Sequence, residues 1–127
     1  MKEQIVSKKG AKPGGAYSPG IRAGDFVFVS GQGPLDPVNG QIVGTTIEEQ
    51  TKRTLENVKA ILEAAGCTMD DVVKSTVHLL DIKMFDRFNK TYSEYFKDPK
   101  PTRTTVQSGL WSNILVEIDV IAYKAKS

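Results

Sequence analysis

Ile114-Leu115-Val116-Glu117-Ile118-Asp119-Val120-Ile121-Ala122-Tyr123 is the stretch that decides the fold. Side chains of a strand point alternately to its two faces. Ile114, Val116, Ile118, Val120 and Ala122 therefore form one wholly apolar face, suited to helices packed against it. Leu115, Glu117, Asp119, Ile121 and Tyr123 form the other, which mixes carboxylates with apolar groups. Such a face suits neither open solvent nor an ordinary core, and a subunit interface carrying polar pockets would meet both demands.

Working back from this strand, Thr102 to Gln107 reads as a second strand, and Pro99 and Pro101 end whatever helix precedes it. That helix carries Met84, Phe85, Phe88, Tyr92 and Phe96, with Asp81 as its cap, and Val72 to Leu80 before it is β-branched enough for a strand. From Thr46 the pattern changes period: Ile47, Thr51, Leu55, Val58, Leu62 and Ala65 recur at steps of three and four, predicting a helix. Thr46 and Glu49 have capping-box spacing, and Gly66 stands where a left-handed residue would close it. Earlier still, Gly and Pro cluster over Gly10 to Gly20 and Gly31 to Gly44, bracketing the strand-forming run Phe26-Val27-Phe28-Val29. Gln32 to Gly40, with Asp36-Pro37 and Asn39-Gly40, reads as a loop. The order β-β-β-α-β-α-β-β with helices on one face of a sheet predicts an α+β domain spanning residues 1–127.

Composition excludes several function classes. The 17 Lys and Arg against 15 Asp and Glu are interspersed, which argues against a nucleic-acid partner. Nothing approaches the roughly 18 uninterrupted apolar residues of a membrane helix. Cys67 is the only cysteine, and Met1 to Gly10 lacks the apolar run of a signal peptide, so the expected setting is cytoplasmic and reducing. With His78 the only histidine, neither a Ser-His-Asp triad nor a zinc site is expected, and His78, in a strand, reads as structural. Gly31-Gln32-Gly33 lacks the third glycine and following helix of a dinucleotide fingerprint, so tight turns explain it better.

What remains is carboxylates, arginines, tyrosines and hydroxyls. Alternation places Arg103 and Thr105 on one face of their strand, and Glu117 and Asp119 on one face of theirs. If those faces meet, a guanidinium and a carboxylate share a partly buried site. On spacing alone the simpler reading is a cross-strand ion pair worth about 0.2–1 kcal/mol.

Ser30-Gly31-Gln32, the Asp36-Pro37 turn, Glu56-Asn57-Val58-Lys59-Ala60-Ile61-Leu62-Glu63-Ala64-Ala65-Gly66, Asn89 with Tyr92, Pro101-Thr102-Arg103 and Val116-Glu117-Ile118 together resemble the RidA (YjgF, perchloric-acid-soluble protein) family, in register along essentially the whole chain. The resemblance implies a chorismate-mutase-like fold of about six strands and two helices, assembled as a homotrimer with active sites in clefts between subunits. It implies hydrolytic deamination, without metal or cofactor, of 2-imino or 2-enamino acids such as 2-iminobutanoate and 2-iminopropanoate, with 2-aminomuconate a variant substrate. By the same resemblance Arg103 anchors the substrate carboxylate, Glu117 activates water, Tyr17 closes the pocket, Ser30 and Gly31 form its floor, and Asn89 stands on its wall. Thr105 occupies a position where many members have cysteine, and its hydroxyl can replace the thiol as a hydrogen-bonding group. Two other departures are Gly15-Ala16-Tyr17 for Gly-Pro-Tyr, and Gly109-Leu110-Trp111-Ser112-Asn113, one residue shorter, for the family's Leu-Pro-x-Asp segment. Trp111 thereby makes a bulkier rim. Competing readings are an endoribonuclease or translation inhibitor, which the scattered charges do not favour, and a non-catalytic trimer that binds small carboxylates.

Overall fold

In the computed structural model, which describes residues 1–125, six strands form one mixed sheet with two helices on one face. In chain order these are β1 (Glu3–Ile5), β2 (Gly20–Ala23), β3 (Phe26–Gln32), α1 (Ile47–Ala64), β4 (Val72–Leu79), α2 (Phe85–Ser93), β5 (Thr102–Gln107) and β6 (Val116–Tyr123). The spatial order is β1-β2-β3-β6-β4-β5, antiparallel except for β4 and β5, which α2 joins by a parallel crossover. The predicted element order and layering hold.

The apolar side of β6 behaves as its alternation requires: Val116, Ile118, Val120 and Ala122 are all buried. Against it packs α1 through Leu55, Val58, Ile61 and Leu62, with Val27, Val29, Val77, Leu79 and Phe88 completing the core. Both marked ends of α1 are present. Thr46 Oγ1 accepts the Glu49 N–H at 3.2 Å while Glu49 Oε1 accepts the Thr46 N–H at 3.2 Å, a reciprocal box that satisfies donors no helical carbonyl reaches. At the other end Gly66 adopts φ 79°, and the N–H groups of Gly66 and Cys67 return to the carbonyls of Glu63 and Leu62.

Three boundaries differ from the sequence expectation. Asp81 does cap a turn, its Oδ1 accepting the Lys83 N–H at 2.9 Å, but that turn is a separate 3-10 segment, Ile82–Met84, before α2 proper. The helix also stops at Ser93, so Phe96 follows it in the chain, although its ring still stacks 4.6 Å from Tyr92. β6 begins at Val116 because Trp111–Asn113 forms another 3-10 segment, in which Ser112 and Asn113 take φ of 50° and 57°. Left-handed backbone costs a residue such as Ser112 roughly 1 kcal/mol or more, though asparagine tolerates it better, so the surrounding contacts must hold it.

One buried side chain ties the core to the loop after β3. The Asn57 amide, wholly buried on α1, donates to the carbonyls of Gly33 (3.0 Å) and Leu35 (2.8 Å) and accepts from Arg53 at 2.9 Å. The Gly33 carbonyl would keep the Leu35 N–H at 2.9 Å, but the Leu35 carbonyl and the Arg53 guanidinium would each lose Asn57, and a polar group stripped of its partner in a buried setting costs about 1–3 kcal/mol. Asn57→Leu should therefore lower the unfolding free energy by about 2–4 kcal/mol, seen as a drop in the urea midpoint at unchanged slope. A loss below about 0.5 kcal/mol would mean that those groups find other partners.

Candidate active site

Two groups of candidate side chains emerge, on opposite faces of the sheet. The first surrounds Arg103. In the parallel register Arg103 lies beside Ser75, which is buried and shares a 2.6 Å hydrogen bond with Tyr92 of α2, so Arg103 belongs to the helix-covered face. Its guanidinium lies over three rings of that helix, 5.3 Å from the Phe85 centroid, 5.8 Å from Phe88 and 4.8 Å from Tyr92. Each such contact favours a cation by about 0.5–2 kcal/mol. Asn89 Oδ1 accepts from Nη1 at 2.8 Å and fixes the plane of the fork. Among the described residues no carboxylate stands within ion-pair distance of Arg103, an unusual state for a half-buried cation. Thr105, two residues on and on the same face, has a buried hydroxyl with no hydrogen-bond partner. Buried polar groups are ordinarily paired, so this one calls for an explanation. Burial pushes the Tyr92 phenol up, against the pull of its Ser75 hydrogen bond and the Arg103 charge, which keeps it neutral.

The second group surrounds Glu117 on the face without helices. There Tyr17, Ser30, Gly31, Gln32, Trp111 and Glu117 contribute to a cleft of about 760 Å³. A register shift between Val29 and Gln32 of β3 marks a bulge beside β6, and Gly31 lies within it. A Cβ on Gly31 would lie 2.7 Å from Glu117 Oε2 and 3.0 Å from its Cδ, so only glycine lets the carboxylate rest directly on the strand. Ser30 Oγ donates to the Ser18 carbonyl at 2.6 Å, and Tyr17 OH accepts the Gly14 N–H at 3.1 Å. The first ties the Gly10–Gly20 segment to β3 beside the cleft, and the second lies within that segment, where the Tyr17 ring is half exposed. On the same face His78 shares a 2.7 Å hydrogen bond between Nδ1 and Ser108 Oγ, and lies opposite Glu117 in the β4–β6 register. Burial pushes the Asp119 carboxyl up, with the His78 and Lys74 charges pulling it down.

The faces carrying Arg103 and Glu117 do not meet within one chain. Glu117 is level with Val106 through His78, two strands and three residues from Arg103, which separates the backbones by roughly 10 Å across and 10 Å along the sheet. The side chains then diverge to opposite sides, so the cross-strand ion pair suggested by spacing is not formed. Alternation pairs residues within a strand but does not say which face of one strand matches which face of another. The structure brings Tyr17, Ser30, Gly31 and Glu117 together, and separately Asn89, Arg103 and Thr105. The aromatic cradle under Arg103 escaped sequence reasoning, where Phe85 and Tyr92 counted only as core. Their spacing of minus four and plus three from Asn89 was the available signal.

Comparisons with known proteins bear on the family and the fold. A family profile described as Endoribonuclease L-PSP matches residues 8–124. A RutC family protein of Saccharolobus solfataricus is 54% identical over 98% of this chain and 100% of its own. Reactive Intermediate Deaminase A, chloroplastic, of Arabidopsis thaliana is 39% identical over 96% of this chain and 66% of its own. Among solved structures, a Thermotoga maritima protein superposes with a TM-score of 0.94 at 46% identity, covering 99% of this chain and 100% of its own. Escherichia coli TdcF, solved with bound serine, gives 0.90 at 34% identity over 97% of this chain and 99% of its own.

Proposed function

The chain belongs to the Endoribonuclease L-PSP family, which takes in the RutC and reactive-intermediate-deaminase proteins, and from there we propose that it hydrolyses 2-imino and 2-enamino acids to 2-oxo acids and ammonia. The observation that carries this reading is the Arg103 fork, oriented by Asn89, cushioned by three rings and without an acidic partner among the described residues. A guanidinium prepared in that way matches a carboxylate through two parallel charge-assisted hydrogen bonds. The serine bound by the E. coli relative is itself a small carboxylate.

The reaction asks little beyond positioning. Glu117 takes a proton from a water molecule as its oxygen adds to C2 of the protonated imine, giving a tetrahedral carbinolamine. The carboxyl then returns the proton to nitrogen, the C–N bond breaks as the oxygen's electrons close the carbonyl, and the hydroxyl proton passes through the Glu117 carboxylate to the departing ammonia, which leaves as ammonium. An enamine first takes a proton at C3 to become the imine. Because Arg103 and Glu117 of one chain face opposite ways, the substrate lies between the Glu117 cleft of one copy and the Arg103 fork of a second, as a ring of identical subunits would provide. The apolar residues on the helix-free face, Phe26, Phe28 and Tyr123, each more than 40% exposed, would be covered in such an assembly.

The direct test generates 2-iminobutanoate in place with a threonine dehydratase and follows 2-oxobutanoate. Formation faster than the spontaneous rate, in proportion to added protein, is expected. No acceleration would leave a carboxylate-binding assembly without turnover. RNA cleavage abolished by Glu117→Ala would shift the function to the nuclease that the family's description names.

A further inference from the structure

We propose that Trp111 selects the side chain of the substrate, so that this protein favours 2-imino acids with large apolar or aromatic side chains over 2-iminopropanoate. This rests on the deaminase reading above and goes beyond it by naming the substrate class. Trp111 lines the cleft that holds Glu117 and Gly31, and its indole lies over the backbone of Gly33, where an added Cβ would be 3.4 Å from Cζ2. It is 47% exposed, so the fold alone does not use that ring fully. Its placement is also built in. The left-handed pair Ser112 and Asn113 turns the chain just after it, Ile114 N–H closes the turn onto the Trp111 carbonyl at 3.2 Å, and the Ile114 side chain is fully buried beneath. Backbone strain kept at a cleft wall points to a role for the side chain it aims. Asn57 fastens the floor under the indole through Gly33 and Leu35.

Stereochemistry then assigns the ring its task. C2 of a 2-imino acid is trigonal, and its carboxylate, nitrogen and side chain lie in one plane. With water delivered from Glu117 across that plane and the carboxylate drawn to a guanidinium, nitrogen takes the polar lining of Ser30 and Gln32. The side chain is left for the apolar lining, which Trp111, Leu35 and the half-exposed Tyr17 supply. Aromatic walls of this kind reward added apolar area in a substrate and give a methyl group little to gain.

An L-amino acid oxidase acting on leucine, phenylalanine or alanine supplies the three imines in turn, with semicarbazide trapping whatever the protein has not hydrolysed. The protein should be roughly ten-fold or more effective on the imines from leucine and phenylalanine than on 2-iminopropanoate. Trp111→Ala should bring that ratio to within about three-fold, and Trp111→Phe should keep most of it. Thermal melting of both variants checks that they fold. If Trp111→Ala does not fold, Trp111→Phe together with the native ratio decides. Equal effectiveness of the native protein on all three imines would overturn the proposal while leaving the deaminase reading intact, as would a Trp111→Ala variant that slows all three by the same factor. Failure of the native protein on every imine would remove both.

Discussion

Arg103→Lys should lower kcat/KM for 2-iminobutanoate by about 100-fold or more, while the melting temperature moves only a few degrees. Lysine keeps the positive charge, so a loss of this size isolates the geometry of the fork. The planar guanidinium offers two parallel donors to a carboxylate and lies within 6 Å of the ring centroids of Phe85, Phe88 and Tyr92, with Asn89 holding its plane. An ammonium offers a point charge on a flexible stem and has no plane to be held. Misorienting C2 relative to the water costs rate as well as binding, so kcat should fall along with a rise in KM. The stability change should be small, because the cation–π contacts that are lost are worth about 0.5–2 kcal/mol each and lysine recovers part of them. A variant within three-fold of native activity would mean that the carboxylate is gripped elsewhere, with Lys12 in the Glu117 cleft the next cation to examine.

Much of the scaffold under this site is legible in the sequence. The two faces of β6 follow from alternation, and both ends of α1 from Thr46, Glu49 and Gly66, since each signal is local and has one physical solution. Boundaries that depend on competition between local turns were harder. Asp81 spends its carboxylate on a 3-10 turn, and Ser112 with Asn113 delays β6 by adopting left-handed backbone that asparagine tolerates but serine does not favour. The relation between Arg103 and Glu117 was beyond local reasoning, because it depends on the register of β4 against both β5 and β6. The bulge of β3 is similar: Gly31 is recognisable as a turn-forming residue, but its contact with Glu117 appears only once the strands are paired. Resemblance to a family named the residues, whereas the structure sorted them into two groups on opposite faces of the sheet.

That sorting predicts a result which a site contained in one chain could not give. Arg103→Ala and Glu117→Gln should each be nearly inactive alone, yet chains of the two kinds assembled together should regain activity. The first variant retains an intact Glu117 cleft, and the second an intact Arg103 fork, because the two lie on opposite faces and share no side-chain contact. Where the fork of one subunit meets the cleft of the next, a junction with both native halves is restored. Random assembly of equal amounts into closed rings places the right neighbours together at about a quarter of the junctions, and activity should approach that fraction of native. Co-refolding from denaturant, with two different tags to purify the mixed species, makes the assemblies; mixing already assembled variants should give little until subunits exchange. The junction also fixes direction, so a mixture of native chains with the double variant should lose activity in proportion to broken junctions. Mixed assemblies that are verified by both tags and remain inactive would show that the Arg103 fork of one chain and the Glu117 cleft of its neighbour do not form one site, and the proposed junction would fall.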